Sequence, residues 1–216
     1  MKPMKNDSLE ALYRSHHAAH RRPGFAVREE QRAALLRRWI GQGRQVCDFG
    51  CRDGQLTRHY LEGNQVIGCE IDPEAIERAR ERGIDARSTD LNQPLPFDDG
   101  RFDVVVACEV LEHLPYWDIS VREMVRVLRP GGEFLGTIPL AYHLTDRWRV
   151  LRGRPLLSAK DPTHVKFLAY DDFIGRMSGY GLQLQEIEVI EGGGGFRSRH
   201  PRLFARNIGF RFRKPA

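Results

Sequence analysis

Two carboxylates and an imidazole follow an apolar run in the middle of the chain. Glu109, Glu112 and His113 come directly after the strand-like run Phe102–Cys108. One helical turn would bring positions i, i+3 and i+4 to one face, where the three groups could hold Mg²⁺ or Zn²⁺. The alternative is a scaffold that hydrogen-bonds to the loop and to a cofactor. We favour the scaffold and predict no metal site.

Two histidines are placed to take a proton from a hydroxyl group, which is the role of a general base. His113 follows the apolar run, and His164 lies in the stretch Thr163–Phe167. We name both as catalytic candidates. The structural alternative is a turn cap for His113 and a packing role for His164. A further group near the start of the chain, His16, His17 and His20, is interpreted as part of a surface or lid.

A glycine loop follows the first strand-like segment, and an acidic residue follows the second. Gly50 and Gly54 allow a tight strand-to-helix turn and a close approach of a ligand to the backbone. Glu70 comes sixteen residues after Gly54 and can accept the hydroxyls of a ribose at the carboxyl edge of a sheet. The pattern predicts a nucleoside-containing ligand. The loop is Gly-x-x-x-Gly, which makes a dehydrogenase the weaker interpretation, and a doubly wound domain that has lost its ligand is the structural alternative.

Short apolar runs alternate with helical patterns between residues 46 and 138. Strands are predicted at Val46–Phe49, Val66–Ile71, Ala86–Thr89, Phe102–Cys108 and Glu133–Ile138, and helices at Gln55–Glu62, Pro73–Arg82 and Trp117–Leu128. Proline at a first helical position and a Pro-Gly-Gly stop mark the helix ends. This alternation indicates βαβ units, and therefore a parallel sheet covered on both faces.

The rest of the chain does not continue this alternation of strands and helices. Residues 140–166 are predicted to form an irregular insertion. A helix is predicted at Tyr170–Ser178, and strands at Leu182–Ile190 and Asn207–Arg213, the last with phenylalanines on its buried side. The segment Glu29–Ile40 is predicted to be helical, with Ala33, Leu36 and Ile40 on one face.

The basic residues gather at the two ends of the chain. Ten Lys/Arg stand against four Asp/Glu in residues 1–45, and residues 196–216 carry seven Lys/Arg and no acid. Basic arms can bind nucleic acid or an anionic membrane, but charge alone selects neither. No apolar run approaches the roughly 20 residues of a membrane span, and no secretory signal is visible. With four cysteines in strand-like segments, we predict no transmembrane segment and a cytoplasmic location.

Five motifs in register resemble those of class I S-adenosylmethionine-dependent methyltransferases. They are Val46–Gly54, Glu70 with Ile71 and Asp72, Asp90-Leu91, the stretch Leu95–His113, and Val127–Gly132. The resemblance implies S-adenosylmethionine as the cofactor, bound by Asp48, Gly50, Cys51, Arg52, Gly54, Glu70, Ile71, Asp90, Leu91, Cys108 and Glu109. Arg52 departs from the family, which most often has glycine there, and its side chain is expected to point to solvent. The Glu-x-x-Glu-His pattern also resembles that of ubiquinone-pathway O-methyltransferases, where it is associated with a divalent ion.

The resemblance also implies the fold and the domain plan. We expect a Rossmann-like α/β fold: a doubly wound, seven-stranded mixed sheet, parallel with one antiparallel strand near the C-terminus, in a single domain. Residues 1–44 are predicted to be a basic helical segment that lids the cofactor. Residues 45–216 form the methyltransferase domain, with the insertion 140–166 on the acceptor side. The stretch Trp148–Phe173 resembles methionine-biosynthesis-linked methyltransferase-like proteins and glycan-cluster methyltransferases.

The function predicted from these features is methylation, on oxygen, of a small molecule or a glycan or lipid precursor. Two alternatives stay open. One is a non-catalytic methyltransferase-like protein that binds a partner, and the other is an RNA methyltransferase that holds phosphates with its basic ends. A contact of the basic ends with a membrane or nucleic acid is not favoured, and residues 196–206 are the part free to make one. The sequence does not give the oligomeric state.

Overall fold

Seven strands form one mixed sheet in the order β3-β2-β1-β4-β5-β7-β6, in a computed structural model that describes residues 23–216. The strands are β1 (Gln45–Phe49), β2 (Gln65–Glu70), β3 (Asp85–Ser88), β4 (Phe102–Cys108), β5 (Leu128–Pro139), β6 (Gln183–Glu191) and β7 (Asn207–Arg213). The helices are α1 (Glu29–Ile40), α2 (Pro73–Glu81), α3 (Trp117–Val127), α4 (Leu144–Leu151), α5 (Tyr170–Gly179) and α6 (Pro201–Phe204). The predicted fold class is confirmed.

The central strands β1 and β4 are neighbours in the sheet, and the loops that follow them are where a ligand site is expected. Their pairing is parallel, as is that of β1 with β2, and the chain order reverses between them. Both strands are almost wholly buried because helices cover both faces of the sheet. In open α/β sheets, ligands bind outside the carboxyl ends of the strands at such a reversal. The fold therefore directs attention to the loops after β1 and β4.

Helix α1 lies against the centre of the sheet. Its predicted apolar face, Ala33, Leu36 and Ile40, is buried, and Trp39 donates from Nε1 to Glu186 of β6 at 2.9 Å. The helix can approach closely because β7 has a glycine beneath it: a Cβ on Gly209 would lie 2.4 Å from the Leu35 side chain. The described part of the N-terminal segment thus packs on the sheet itself.

Three local expectations were wrong. The segment predicted as the helix Gln55–Glu62 has only a 3₁₀ turn, Thr57–Tyr60, because Thr57 and Tyr60, three residues apart, both turn towards Asp48. Strand β5 begins at Leu128 and runs through the Pro-Gly-Gly stop with a shift in register against β4. The insertion is not wholly irregular, since it contains α4.

The C-terminal strand fits its predicted period of two. Ile208, Phe210 and Phe212 are buried, and Arg211 reaches Glu133 of β5 at 2.6 Å. Strand β7 pairs antiparallel with both β5 and β6. All four cysteines are free thiols. Within residues 23–216 no helix has the length and apolar character needed to cross a bilayer, and the cytoplasmic location stays a prediction.

Candidate active site at the carboxyl edge of the sheet

A pocket opens where β1, β2, β3 and β4 end. Most of the predicted site residues line it together: Asp48, Gly50, Cys51, Arg52, Glu70, Ile71, Asp90, Leu91, Cys108, Glu109 and His113. Two predicted site residues, Gly54 and His164, are not part of its wall. The pocket thus gathers segments that are up to 89 residues apart in the sequence (Phe25 to Leu114).

The two loop glycines serve different purposes. Gly50 has φ +73°, and a Cβ there would lie 2.4 Å from the Val110 side chain, so only glycine lets the loops after β1 and β4 meet. Gly54 has φ +74°, and its Cβ would lie 2.1 Å from Ile84. Gly54 therefore permits packing of the loop against the sheet and does not face the ligand space.

Arg52 adopts the left-handed conformation that a glycine would favour. Its φ is +52°, which costs an L-residue about 1 kcal/mol. Its backbone N–H donates to Glu70 Oε2 at 3.0 Å, and its guanidinium donates to the carbonyl of Phe25 at 2.8 Å. The side chain does not simply point to solvent as expected. It holds residues 25–27, which line the pocket, against the glycine loop.

Glu70 is held rigidly by backbone amides. Its Oε1 accepts from the N–H groups of Ile71 and Asp72 at 2.7 and 3.0 Å, in addition to the Arg52 amide on Oε2. A carboxylate offers about four lone-pair sites, so one remains for a further donor. Glu70 is buried and lines the pocket, and a ligand hydroxyl is a donor that fits this geometry.

Asp48 is a buried carboxyl group at the floor of the pocket. Burial raises the pKa of Asp48 to about 6, although Oδ2 accepts hydrogen bonds from Thr57 Oγ1 at 2.6 Å and Tyr60 at 2.7 Å, which lower it. A positively charged ligand group would favour the ionised form. Cys108, close by, has its pKa raised to about 12 by burial, so this thiol is no nucleophile at neutral pH.

The loop after β3 forms another part of the pocket wall. Asp90 Oδ1 accepts from the Asn92 backbone and side chain at 2.9 and 3.0 Å, which fixes the turn. Leu91 packs partly into the core and presents an apolar surface to the pocket. An apolar contact beside a fixed carboxylate suits a flat heterocycle with exocyclic donors.

Glu109 does not share a face with Glu112 and His113. Its φ is +56°, so the chain leaves the helical conformation that the shared face requires. Glu109 Oε1 instead accepts from Thr137 Oγ1 and Asn207 Nδ2, both at 2.9 Å, and lies 3.2 Å from Arg32 Nη2. The hypothesis of a metal held by Glu109, Glu112 and His113 is therefore wrong in its ligand set.

Arg32 is a pocket residue that the sequence analysis missed. It comes from α1, is buried, and lines the pocket beside Glu109. Among the described residues no group accepts a hydrogen bond from its Nε, so a buried donor is left for a ligand. Its position next to the apolar face of α1 is the signal that could have marked it, since an arginine there is seldom buried without a partner.

Glu112, His113 and His164 form a compact cluster at the edge of the pocket. Glu112 is 1% exposed, and its Oε1 lies 3.8 Å from His113 Nε2 and 4.0 Å from His164 Nε2. The two imidazole rings meet edge to face with centroids 4.8 Å apart. His113 Nδ1 lies 3.1 Å from the carbonyl of Thr163. The insertion thereby reaches the pocket wall through His113, and His164 stands behind that histidine.

Two groups of described residues have the spacing of metal ligands. Glu112, His113 and His164 have candidate ligand atoms within 4.8 Å of one another, as do Glu29, Glu30 and His59. The second group is at the start of α1 and outside the pocket wall. The first combines two imidazoles with one carboxylate, a set that suits Zn²⁺ or Fe²⁺ better than Mg²⁺.

Comparisons with known proteins agree with this geometry. Residues 47–136 match the family model of a methyltransferase domain. A protein of Mycolicibacterium smegmatis named as a probable S-adenosylmethionine-dependent methyltransferase is 40% identical over 158 residues, covering 70% of this chain and 57% of that protein. The 27-O-demethylrifamycin SV methyltransferase of Amycolatopsis mediterranei is 34% identical, covering 50% and 44%. The chain belongs to the class I S-adenosylmethionine-dependent methyltransferases.

The fold of this methyltransferase domain is shared with solved structures. A SAM-dependent methyltransferase from Archaeoglobus fulgidus superposes with a TM-score of 0.66 at 19% identity, covering 86% of this chain and 94% of that one. At that identity the likeness shows the fold alone. The chain spans about half the length of the two curated relatives, 57% and 44%. The predicted family and, with it, S-adenosylmethionine as the cofactor of that family are confirmed.

The pocket of the methyltransferase domain fits this cofactor. Glu70 has a lone pair for a ribose hydroxyl, and Arg32 Nε is a buried donor for which the described residues offer no acceptor. Asp48 adds a carboxyl group whose ionisation a cation would favour. The donor and acceptor types therefore match a nucleoside linked to an amino acid.

Proposed function

We propose that the chain transfers the methyl group of S-adenosylmethionine to a hydroxyl oxygen of a small molecule or of a glycan or lipid precursor. The observation that carries this proposal is an imidazole, His113, on the pocket wall, with the buried carboxylate of Glu112 beside it. Methylation of oxygen requires that the acceptor lose a proton, and an imidazole backed by a carboxylate is suited to accept it. The names of two relatives, the 27-O-demethylrifamycin SV methyltransferase and a ubiquinone biosynthesis O-methyltransferase of Xanthomonas oryzae, support an oxygen atom of a small molecule as the acceptor.

Five residues would hold the cofactor. Glu70 would accept a ribose hydroxyl, and Asp90 with Leu91 would contact the adenine. Asp48, once ionised, would pair with the α-ammonium group. Arg32 would pair with the α-carboxylate, because its Nε is a buried donor and its Nη2 is 3.2 Å from Glu109. When bound, S-adenosylmethionine supplies an electrophilic methyl group on a sulfonium ion.

The proton would move to Nε2 of His113. The Thr163 carbonyl can only accept, and the Thr163 hydroxyl already donates to Asp161 at 2.6 Å. Nδ1 of His113 therefore carries the hydrogen in the 3.1 Å contact with the carbonyl, and Nε2 is the ring nitrogen without one. Glu112 would stabilise the imidazolium from 3.8 Å, as a positioning residue. His164 is the second catalytic candidate, and it would act behind His113 by sharing the same carboxylate at 4.0 Å.

Residues 1–44 would cover the cofactor as a lid. The support comes from residues 25–27, which line the pocket, and from two bonds that tie this segment down. The Gly24 N–H donates to Asp53 Oδ2 at 2.6 Å, and Arg52 binds the Phe25 carbonyl at 2.8 Å. The group His16, His17 and His20 lies outside the described residues.

Transfer of a labelled methyl group tests the proposal. Purified protein and labelled S-adenosylmethionine are incubated with lysate fractions that contain lipids, glycans, RNA or small molecules. Base-stable label in a small-molecule, glycan or lipid fraction is expected, and label only in RNA would favour the RNA alternative. Failure of the protein to bind S-adenosylhomocysteine would remove the enzyme interpretation. Full turnover in a chelator would show that Glu112, His113 and His164 work without a metal.

A further inference from the structure

Helix α4 of the insertion exposes its apolar side chains and buries a charged one. An amphipathic helix on a globular protein normally buries its apolar side and exposes its charges. Here Asp146 is the buried residue of the helix, while Leu144, Trp148 and Leu151 are exposed. Leu151 is 79% exposed and Trp148 55%. The three apolar side chains recur at i, i+4 and i+7, so they share one face, and that face points away from the core.

The orientation of α4 is fixed by polar contacts around Asp146. Its carboxylate accepts from the Tyr142 amide at 3.0 Å and from the Leu157 amide at 2.9 Å, and it lies 3.4 Å from Nε2 of His143. His143 accepts from the Asp146 amide at 3.3 Å and caps the helix. Rotating the helix to bury Trp148 would break these bonds. The exposure of the apolar face is therefore a built feature of the insertion.

Arginines surround the exposed apolar face. Arg147, Arg149, Arg152 and Arg154 lie on α4 or directly after it, and the single acid of this stretch, Asp146, is buried and already paired. Arg152 stacks over the Trp148 ring at 5.4 Å. A tryptophan and aliphatic side chains ringed by arginines are typical of a helix that lies in the interface of an anionic bilayer.

The basic C-terminal segment continues the same surface. A cleft between α4 and residues 199–203 is lined by Arg147, Arg199, His200 and Arg202, together with Tyr170 and Asp171. Asp171 already pairs with Arg202 at 2.9 Å, so the cleft keeps a positive excess. Phe196, nearby in the sequence, is 66% exposed. The insertion and the tail thus combine cationic groups with exposed apolar ones.

The chemistry of this surface favours an anionic bilayer over the other possible binding partners, which are nucleic acid, a second copy of the chain and residues 1–22. Nucleic acid offers phosphates and stacking surfaces, and neither stabilises an exposed leucine or valine. A second copy of the surface would bring the same arginines together. Residues 1–22 carry five Lys/Arg against two Asp/Glu, so their charge does not complement a basic patch. Anionic lipid satisfies both the arginines and the aliphatic side chains.

We propose that α4 and Arg152 and Arg154 form a docking surface for an anionic lipid membrane, with Trp148 and Leu151 entering the interface. This surface would hold the pocket mouth near the bilayer, because the insertion also contacts His113 through Thr163. The proposal does not depend on methyl transfer, and its test contains neither cofactor nor acceptor.

Vesicle binding tests the proposal with a built-in reporter. The chain has three tryptophans, and Trp39 and Trp117 are buried, so a change of environment at the surface reports on Trp148. Phosphatidylcholine vesicles with phosphatidylglycerol should shift the tryptophan emission to the blue and carry the protein in flotation. Vesicles of phosphatidylcholine alone should bind much less. Added salt should weaken the binding.

Matched variants locate the surface. Leu151→Ser should lower the vesicle partition coefficient about tenfold, since a leucine leaves the interface. Leu184→Ser is the control, because Leu184 is also an exposed leucine. It lies at the start of β6, level with Phe134 of β5 and so at the opposite end of the strands from the end of β5 that leads into α4. Arg152→Gln with Arg154→Gln should reduce binding to the anionic vesicles and remove most of its salt dependence. Unchanged thermal midpoints show that each variant is folded.

Several outcomes would overturn the proposal. Equal partition of Leu151→Ser and Leu184→Ser would do so, as would vesicle binding without a shift in emission. A shift produced by single-stranded RNA and not by vesicles would assign the surface to nucleic acid. A shift that rises with protein concentration in the absence of lipid would assign it to a second copy of the chain.

Discussion

The two walls of the pocket are built by different means. The cofactor wall, formed by the loops after β1, β2 and β3, is held mainly by bonds within and between these neighbouring loops, such as those from the amides of Arg52, Ile71 and Asp72 to Glu70. The proposed acceptor wall, His113 backed by Glu112 and by the insertion, is held by contacts between distant segments. His113 meets Thr163, for instance, fifty residues further on.

This difference separates what is general from what is particular in the molecule. A wall made from glycines and backbone amides can be reused for one cofactor whatever the acceptor is. A wall made from side chains of an insertion can change without disturbing the sheet. Under the proposed function, the cofactor wall would carry the chemistry common to the family and the acceptor wall the specificity of this chain.

The largest effect is expected from the acceptor wall. His113→Ala should lower kcat by roughly 10²–10⁴, because the acceptor hydroxyl would lose its base, while the affinity for S-adenosylhomocysteine changes little. Turnover is measured with the acceptor found in the labelling screen, and affinity by calorimetry. His164→Ala is the matched variant, and a smaller loss is expected since His164 lies outside the pocket wall.

A near-normal kcat in His113→Ala would remove this residue from the chemistry. If kcat and cofactor affinity instead fell together, His113 would be a structural part of the pocket. Either result would contradict the proposed difference between the two walls, because the acceptor wall, like the cofactor wall, would then have no catalytic role.

The cofactor wall should respond in the opposite way. Glu70→Ala should weaken the binding of S-adenosylhomocysteine by about 1.5–3 kcal/mol, roughly tenfold to more than a hundredfold, because a hydrogen bond to a charged group is lost. Glu77→Ala is the control, since Glu77 is an exposed glutamate one helix turn into α2. The prediction fails if calorimetry gives both variants the wild-type affinity.

The same contrast explains which features of the site could be predicted from the sequence and which could not. The glycine loop, Glu70 and the succession of strands and helices along the chain follow from local patterns, since turn geometry and strand burial leave a mark within about ten residues. The pairing of Arg32 with Glu109 and the approach of His164 to Glu112 depend on how α1 and the insertion pack. No local pattern encodes such a contact between distant elements.

Helix α4 was not predicted from the sequence, for a related reason. Hydrophobic periodicity marks a helix by the face that it buries, and the apolar residues of α4 do not face the core. The pattern was present in the sequence, but its usual meaning did not apply. Glu109 shows the reverse case, in which a helical spacing was present and the backbone turned at φ +56°.

A pH titration sharpens the account of the cofactor wall. Asp48 has a pKa of about 6, so it is protonated below that pH and ionised above it. If its carboxylate pairs with the α-ammonium group, S-adenosylhomocysteine should bind about tenfold more weakly at pH 5 than at pH 7. Calorimetry in two buffers of different ionisation enthalpy should detect proton release near pH 6. In Asp48→Asn the dependence should vanish, and a wild-type slope in that variant would contradict the assignment.

The smallest effect concerns the anchoring of α1 beneath the pocket. Burial alone would raise the pKa of Glu29, but hydrogen bonds from Gln55, His59 and Arg58 outweigh it and hold the pKa at about 2. A carboxyl with a lowered folded-state pKa stabilises the protein above its unfolded value, near 4.5, and loses that contribution as pH falls towards 2.

Glu29→Gln should therefore lower the free energy of unfolding by about 1 kcal/mol at pH 7, and the difference from wild type should shrink by pH 3. Asp48 titrates with the opposite sign between pH 4 and 6, since its folded pKa is raised, but it is present in both proteins and cancels in the comparison. Glu30→Gln is the control, because Glu30 is exposed in the same first turn of α1 and shares the helix-dipole effect. Urea unfolding at both pH values gives the two differences. If Glu29→Gln and Glu30→Gln lose the same free energy, the dipole accounts for the whole effect, and the bonds to Gln55, His59 and Arg58 add nothing to the anchoring of α1.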